Sequence, residues 1–251
     1  YGHKLGLPHP PSVNLGNYSP MGGGGFGPYA VEYLVQLGWI DSTRIVEVKG
    51  NLLNERIKDI RKDGKLYKIP ISDDEYFWVS NHQGTDYDAK YAGKGVLIWH
   101  IKKGRIWDVE SAEGMFATDG SADPIAGKDR LVHGGGSSQE DFFDGMQRTA
   151  FSVNTNPNTN GYSESFASPQ FVYTGISIEN IRKDGADILA DFVRYEVLDH
   201  DVMVQSIVRP VADTTMLSTV ITPMVMVRNV GKNAEEAFTV ELKMERGGEM
   251  L

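Results

Sequence analysis

Beyond about residue 40, the hydrophobic and polar positions of the chain follow the pattern of β-strands. Residues 44–48 make a short strand-like run. Two later segments, 75–79 (E-Y-F-W-V) and 95–101 (G-V-L-I-W-H-I), are apolar almost throughout. Central strands show such continuous apolar runs because they are covered on both faces. The pattern therefore predicts a mostly β domain with these two segments at its centre.

Two Asp-Gly pairs indicate β-hairpins, because this dipeptide suits the tight turns that join antiparallel strands. Asp63-Gly64 separates residues 55–61 from residues 65–71. Asp184-Gly185 separates two segments in which apolar and polar residues alternate, with Ile176 and Ile178 on one side and Ile188, Ala190 and Phe192 on the other. Each pair of segments is predicted to form an antiparallel hairpin.

A helix is predicted over residues 28–37. Pro28 suits the first helical position, and Gly38 suits the position just after the last turn. The helical period places four apolar residues on one face: Tyr29, Tyr33, Leu34 and Leu37. That face is expected to pack on the protein core.

A domain boundary is predicted near residue 197. After it, residues 201–208, 219–230 and 237–244 have the pattern of three strands, with a turn at Asn229-Val230-Gly231. About 100 residues normally complete an immunoglobulin-like sandwich, and roughly half of them are present, so the sheet is expected to end unpaired. The predicted fold class is α+β, mostly β, with one domain over residues 1–197 and the start of a β-sandwich over residues 198–251.

The composition narrows the classes of function. The 251 residues carry a net charge of -9, which argues against binding to nucleic acid or to anionic membranes. No run of about 18 apolar residues is present, so no membrane span is predicted. The absence of cysteine excludes disulfides and thiolate metal sites, and it is compatible with a protein that works outside a bacterial cell.

The start of the chain carries the candidate metal chemistry. His3, Gly6 and His9 match H-x-x-G-x-x-H, the second half of the zinc-protease pattern H-E-x-x-H-x-x-G-x-x-H. The glycine ends the helix with a left-handed backbone, so that the third ligand can turn back to the metal. The first His and the general-base Glu would precede Tyr1. We therefore expect a fragment with two zinc ligands, His3 and His9, and no catalytic base; two unrelated loop histidines are the alternative.

A methionine and a run of glycines follow the histidines. Met21 could form the methionine turn that supports the zinc ligands of metzincin proteases, and an ordinary core methionine is the alternative. Gly22, Gly24 and Gly27 match G-x-G-x-x-G, with Glu47 lying 20 residues further on, as in dinucleotide-binding proteins. That interpretation needs a buried strand directly before the glycines. The residues there (N-Y-S-P) do not predict one, so we interpret the glycines as a tight turn.

The other histidines and the loop acids are interpreted without a metal. His100 lies in an apolar strand and is expected to be a hydrogen-bonded core residue, whereas three histidines near turns or the domain boundary are expected at the surface: His82, His133 and His200. The loop-rich segment 104–174 contains five scattered acids, Asp119, Asp123, Asp129, Asp141 and Asp144. They lack the spacing of a calcium loop, so we expect solvated acids, with Ca²⁺ binding as the alternative.

Several longer motifs occur in order along residues 1–195. They are G-H-K-L-G-L-P-H, S-P-M-G-G-G-G followed by P-Y-A-V-E-Y-L-V-Q-L-G-W-I, E-Y-F-W-V with G-K-G-V-L-I-W-H-I, and T-G-I-S-I-E-N-I-R-K-D-G. In this order they resemble the immune inhibitor A family of secreted bacterial zinc metallopeptidases. Residues 199–251 resemble the adhesion-type immunoglobulin-like modules that often follow secreted bacterial proteases.

The resemblance implies the C-terminal part of a metzincin-like catalytic domain over residues 1–197. In it, His3 and His9 would bind Zn²⁺ and Met21 would support them. Many family members have Asp in place of His9, and either residue can bind zinc. The family often has Glu-Asn-Arg where this chain has Ser80-Asn81-His82, and commonly has Asp where this chain has Lys102. These departures suit a diverged member if the missing groups brace the catalytic half or bind Ca²⁺.

The leading hypothesis is a fragment of a secreted zinc endopeptidase that hydrolyses protein or peptide substrates with metal-activated water. The fragment itself is expected to be inactive, because the first zinc His and the Glu base are missing from it. The second hypothesis is a non-catalytic extracellular binding or adhesion protein with a degenerate protease-like scaffold. Its β-sandwich would then bind extracellular or cell-surface ligands. His-Glu encoded directly upstream of Tyr1 would favour the enzyme.

Overall fold

The computed structural model describes residues 2–9, 15, 18–21, 27–112, 139–162, 171–209, 222–241, 245–246 and 249–250. The chain divides into two compact units, Tyr1–Glu196 and Val197–Leu251. This division lies one residue before the boundary that the sequence predicts. The two units are described separately below.

The first unit contains one α-helix and ten strands in its described part. In chain order they are α1 (Val31–Gln36), β1 (Ile45–Glu47), β2 (Leu52–Ile57), β3 (Leu66–Pro70), β4 (Glu75–His82), β5 (Gly95–Lys102), β6 (Arg105–Val109), β7 (Gly161–Tyr162), β8 (Phe171–Val172), β9 (Ile176–Asp184) and β10 (Asp187–Arg194). Short 3₁₀ turns lie at Gly2–Leu5, Ser42–Arg44, Asp86–Lys90 and Gln139–Asp141.

A five-stranded sheet forms the centre of this unit, in the order β1-β3-β4-β5-β6. Strand β1 runs parallel to β3, and the other neighbours are antiparallel. Strands β4 and β5 pair along their whole length, from Glu75 opposite Lys102 to His82 opposite Gly95. All eight residues of β5 are buried. The prediction that residues 75–79 and 95–101 form central strands is therefore confirmed.

Two hydrophobic clusters cover the two faces of the central sheet. On one face, side chains of the sheet pack against the N-terminal segments and α1; this cluster includes Leu66, Trp78, Leu97 and Trp99 with Leu7, Tyr18, Met21, Tyr33 and Leu34. On the other face they pack against a second sheet; this cluster includes Tyr67, Ile69, Phe77 and Ile98 with Ile57, Ile178, Ile188 and Phe192. The alternation of side chains along each strand divides them between the two clusters. The unit therefore has three layers.

The second sheet has the order β2-β10-β9 and is antiparallel. Strands β9 and β10 form the predicted hairpin, with Asp184 paired to Asp187 next to the turn. Gly185 has φ +67°, a left-handed conformation that glycine adopts without steric cost. The prediction of a hairpin at Asp184-Gly185 is confirmed.

The predicted hairpin at Asp63-Gly64 is wrong, because β2 and β3 belong to different sheets. The turn between them is closed by the Asp59 carbonyl, which accepts hydrogen bonds from the amides of Lys62 and Gly64. Ile60 within this turn is buried in the cluster on the α1 side, whereas Ile57 just before it is buried in the other cluster. The chain therefore crosses from the outer sheet to the central sheet at this point, so β2 cannot pair with β3.

Helix α1 covers most of the predicted segment 28–37. It starts at Val31, because Ala30 is still extended with φ -55° and ψ 150°. It ends at Gln36, one residue before the predicted end, and Gly38 has the left-handed φ of +68° that the sequence predicts after the last turn. The Gly38 amide donates to the Val35 carbonyl and the Trp39 amide to the Leu34 carbonyl, the two hydrogen bonds of a Schellman motif.

The second unit contains an antiparallel pair, β11 (Val202–Arg209) with β12 (Met224–Asn229), and a short pair, β13 (Glu245–Arg246) with β14 (Glu249–Met250). The first two correspond to the strands predicted over 201–208 and 219–230. The third predicted strand is wrong over residues 237–241, which form no strand, and residues 242–244 lie outside the described part. Val204, Ile207 and Met224 remain exposed on β11 and β12.

At the level of fold class, the structure is mostly β with several sheets and little helix, which agrees with the predicted class of α+β, mostly β. Within the described residues, α1 is the one α-helix, and no helix there has the length and hydrophobicity needed to cross a lipid bilayer.

Candidate metal site

His3 lies in a single 3₁₀ turn, Gly2–Leu5, which ends at Gly6. Gly6 has φ +82°, as expected for a glycine that stops a helix and redirects the chain. The Gly6 amide donates to the His3 carbonyl at 3.1 Å, and the Leu7 amide donates to the Gly2 carbonyl at 3.2 Å. This is the same pair of bonds that ends α1. The chain therefore turns at Gly6 in the left-handed conformation that the sequence predicts.

The turn at Gly6 brings the two candidate ligands together. The rings of His3 and His9 are 4.4 Å apart between their centroids and meet edge to face, at 61°. Both residues are exposed. Two imidazoles bound to one zinc ion, each at about 2.1 Å, would have ring centres roughly 5 Å apart. The observed separation is therefore close to the one that a shared metal requires.

Backbone carbonyls orient both imidazole rings. The Nδ1 of His9 lies 2.8 Å from the carbonyl oxygen of Met21, and the Nδ1 of His3 lies 3.3 Å from the carbonyl oxygen of Leu7. A carbonyl oxygen can only accept a hydrogen bond, so Nδ1 must carry the proton in both rings. In the neutral form, Nε2 then has the free lone pair. This is the tautomer that zinc-binding histidines adopt when a carbonyl holds their other nitrogen.

Met21 packs directly against the turn that carries His3. It is 4% exposed and belongs to the cluster between α1 and the central sheet. A Cβ atom placed on Gly2 would lie 2.3 Å from the Met21 sulfur and 3.2 Å from the Tyr29 hydroxyl. A side chain at position 2 would therefore displace the Met21 sulfur. Met21 thus contacts the His3 turn through its sulfur and His9 through its carbonyl.

Among the described residues, the candidate metal site consists of two side chains, those of His3 and His9. Across the part of the chain that the structure describes, no group of three or more His, Cys, Asp or Glu side chains is placed to hold a metal ion. The structure thus brings together the two predicted ligands, His3 and His9, and adds no third donor from the described residues.

The dinucleotide alternative lacks its structural requirement. Gly22 and Gly24 lie outside the described residues, but residues 18–21, which the structure describes directly before them, form turns and no strand. The Gly-x-Gly signature has its function only when a strand leads into it. The cofactor-binding interpretation is therefore not supported.

The sequence predicts His82 at the surface, and this prediction is wrong. Its side chain is fully buried, with Nδ1 2.5 Å from Asp88 Oδ2 and Nε2 2.8 Å from Ser80 Oγ. Arg61 forms a second ion pair with Asp88 at 2.6 Å. Burial alone would raise the pKa of Asp88, but the charges and hydrogen bonds of His82 and Arg61 outweigh it and lower that pKa. Strand β4 carries His82 inward because the central sheet is covered on both faces.

The serine, histidine and aspartate of this cluster are arranged like a catalytic triad, but they cannot act as one. Ser80, His82 and Asp88 are each 0% exposed, so no substrate can reach the serine oxygen. A nucleophile must lie within contact distance of the atom that it attacks. We therefore interpret the cluster as structural. It ties the 3₁₀ turn at Asp86–Lys90 to the end of β4.

His100 is the hydrogen-bonded core residue that the sequence predicts. Its Nε2 lies 2.7 Å from Glu75 and its Nδ1 lies 3.0 Å from Glu110, and the ammonium of Lys102 lies 3.1 Å from Glu75. Burial alone would lower the pKa of His100, but the hydrogen bonds and charges of Glu110 and Glu75 outweigh it and raise that pKa. The sequence did not reveal the two buried glutamates, because nothing local marks them as partners of a histidine 10 or 25 positions away.

The expectation of solvated acids fails for Asp141. This residue is fully buried, and it accepts hydrogen bonds from the Tyr18 hydroxyl at 2.8 Å and from the Ser111 hydroxyl at 2.9 Å. Asp144 is partly buried and accepts from the amides of three following residues, Met146, Gln147 and Arg148. The remaining three acids (Asp119, Asp123 and Asp129) and His133 lie outside the described residues. His200 is exposed, as predicted, and lies 3.0 Å from Glu235.

No protein-family model, curated protein or solved structure matches this chain. The resemblance to immune inhibitor A peptidases therefore rests on the motifs quoted above and stays a prediction.

Proposed function

We propose that this chain is part of a secreted zinc-dependent endopeptidase in which His3 and His9 are two of the zinc ligands. The observation that supports the proposal best is the pairing of the two imidazoles, 4.4 Å apart, each with Nδ1 held by a backbone carbonyl. Two unrelated loop histidines would have no reason to share both a position and a tautomer. The packing of Met21 against Gly2 adds a second, independent feature of such sites.

The proposal assigns specific tasks to the residues of this chain. His3 and His9 would each present the Nε2 lone pair to the metal, and Gly6 would direct the chain so that the two rings converge. Zinc in such a site activates a water molecule for attack on a peptide carbonyl. The remaining histidine ligand and the glutamate base of the pattern would precede Tyr1. The proposal therefore predicts that the gene encodes His-Glu immediately upstream of Tyr1.

Zinc binding by the chain itself tests the ligand assignment. Calorimetric titration with Zn²⁺ should show one weak site, because only two of the protein ligands of the pattern are present. His3→Ala and His9→Ala should each abolish it. His200→Ala is the matched control, since His200 is also exposed but lies in the other unit, and it should leave the binding unchanged. Zinc binding that survives His3→Ala and His9→Ala would refute the assignment.

Proteolysis tests the activity. A longer product of the gene, which includes the predicted His-Glu and the rest of the catalytic domain, should cleave a protein substrate such as casein, and a chelator should stop the cleavage. The same longer product with Gln in place of the predicted Glu should bind Zn²⁺ equally well and be inactive, because the amide cannot act as a base. A longer product that binds Zn²⁺ through His3 and His9 but never cleaves protein would argue against a peptidase.

A non-catalytic extracellular binding protein is the second candidate. The observation that favours it is an apolar face of the β11–β12 pair in the second unit, formed by the exposed Val204 and Ile207 and their cross-strand partners Val227 and Val225. Contiguous exposed apolar surface often marks an interaction site. A parent gene with residues other than His-Glu before Tyr1 would favour this candidate over the enzyme.

A further inference from the structure

The segment that carries His9 is held from three directions by residues distant in sequence. The Nδ1 of His9 donates to the Met21 carbonyl. The guanidinium Nη2 of Arg105 donates to the His9 carbonyl at 3.1 Å, across 96 positions of sequence. The hydroxyl of Tyr33 donates to the carbonyl of Pro8, the preceding residue, at 3.0 Å. Both carbonyls of the segment Pro8-His9 are therefore used by side chains that lie outside it.

Both donors belong to a frame built on the central sheet. Helix α1, which carries Tyr33, is anchored by its buried Glu32, which accepts from Trp78 Nε1 at 2.6 Å and from the Tyr76 hydroxyl at 3.0 Å. Gln36, one turn further along α1, donates to the Gly104 carbonyl at 2.8 Å. Gly104 immediately precedes Arg105, so this bond ties the turn between β5 and β6 to the helix.

The Tyr33 hydroxyl is a dependable donor. Burial raises the pKa of Tyr33 to about 12, although the nearby charge of Arg105 opposes this. The phenol therefore keeps its proton throughout the pH range in which a zinc peptidase works, and it continues to hold the Pro8 carbonyl. Arg105 is exposed, so its bond to His9 is expected to contribute little to folding.

We propose that Arg105 and Tyr33 are positioning residues for the metal site: together they fix the backbone at Pro8-His9, so that the His9 imidazole meets that of His3. The proposal rests on the function proposed above. It adds that Arg105 and Tyr33 act on the site through the backbone at Pro8-His9 and are not themselves metal ligands. Substituting residues that orient metal ligands typically lowers metal affinity about 10- to 100-fold.

The direction in which Arg105→Ala changes the zinc affinity shows whether Arg105 acts by positioning His9 or only through its positive charge. Arg105→Ala removes a positive charge close to a cation site, which by electrostatics alone should strengthen Zn²⁺ binding. Loss of positioning should instead weaken it, by about tenfold. Tyr33→Phe changes no charge and should weaken binding similarly. Lys103→Ala is the matched control: it removes a charge from the same turn but no contact to His9, and it should not weaken binding.

The experiment measures two properties of the 251-residue chain and of these variants. Calorimetry gives the Zn²⁺ affinity. NMR of the metal-free chain gives the contact between the rings of His3 and His9, as a nuclear Overhauser effect, and the His9 tautomer, from the ring nitrogen shifts. Arg105→Ala and Tyr33→Phe should lose the ring contact and the Nδ1-protonated signature, while Arg105→Lys should restore them in part. Thermal midpoints close to that of the parent chain show that each variant is folded.

The two readouts keep the two proposals distinguishable. If the parent chain does not bind Zn²⁺ but Arg105→Ala still separates the rings, positioning holds and the zinc function fails. If the ring contact and tautomer are unchanged in both Arg105→Ala and Tyr33→Phe, the positioning proposal is overturned, whatever the zinc affinity. Stronger zinc binding by Arg105→Ala would likewise overturn it.

Discussion

The described histidines of the first unit fall into two pairs, which differ in their exposure and in the groups that their ring nitrogens contact. His3 and His9 lie at the surface, and backbone carbonyls hold their Nδ1 atoms. His82 and His100 lie inside the same unit and pair with carboxylates. A carbonyl partner occupies one nitrogen and leaves the other ready to bind a metal. His82 and His100 instead have side-chain partners on both ring nitrogens, so neither nitrogen is left for a metal. The number of ring nitrogens that the protein occupies decides which histidine can serve as a ligand.

The comparison implies that substituting a buried histidine destabilises the fold, whereas substituting a surface histidine does not. The buried clusters contain several charges whose partners are all protein groups, so removing one member strands the others. The surface pair is bordered by solvent and should tolerate substitution without loss of stability, although its proposed metal binding should not. The predictions below test this contrast, beginning with the largest expected effect.

His100→Ala should have the largest effect. It leaves the carboxylates of Glu75 and Glu110 buried without the ring that lies between them, and stranding a buried charge in this way costs about 3–5 kcal/mol. Urea denaturation measures the free energy of unfolding. His3→Ala, the surface counterpart, should change it by no more than about 0.5 kcal/mol. Equal losses in the two variants would contradict the contrast.

Asp88→Asn should have the next largest effect, about 2–4 kcal/mol, because it removes the shared partner of His82 and Arg61. The pKa of Asp88 is lowered in the folded chain. Its contribution to stability is therefore present above the ordinary Asp pKa and is lost as the pH falls through the folded value. The difference in unfolding free energy between parent and Asp88→Asn should shrink in acid; a difference that stays constant with pH would contradict this.

Gly2→Ala tests whether the turn that carries His3 packs tightly against the buried side chain of Met21. The added methyl group would overlap the Met21 sulfur, so we expect a loss of about 1–3 kcal/mol, as for other overpacked sites. Gly104→Ala is not a suitable control because its φ of +66° is unfavourable for alanine, whereas Gly50 has open space and no such conformation. Gly50→Ala should therefore leave the thermal midpoint nearly unchanged. Similar midpoints for both variants would mean that Met21 does not pack on the His3 turn.

The smallest effect concerns the pH dependence of the His100 cluster. The pKa of His100 is raised in the folded chain, so its contribution to stability is fully present below the ordinary His pKa and is lost as the pH rises through the folded value. Denaturation midpoints of the parent chain should therefore fall towards alkaline pH more steeply than those of His100→Gln. Parallel pH profiles for the two proteins would show that the ring is not charged in the folded state.

The sequence by itself determined the features that depend on neighbouring residues. Gly6 and Gly38 stop their helical turns in the left-handed conformation. The Asp184-Gly185 turn joins its hairpin, and the continuous apolar runs become the buried strands β4 and β5. These outcomes follow from backbone conformation and hydrophobic periodicity, which act over a few positions and are therefore visible in the sequence.

Only the tertiary structure decided which distant groups meet. It paired β2 with β10 instead of β3, and it buried His82 and Asp141, which the sequence suggested would be exposed. It also placed Arg105 on the His9 carbonyl. These contacts join residues far apart in the chain, and their free energy depends on which surfaces the folded layers cover. No local pattern carries that information, so the meeting of His3 and His9 could be predicted from the sequence, whereas the residues that hold them could not.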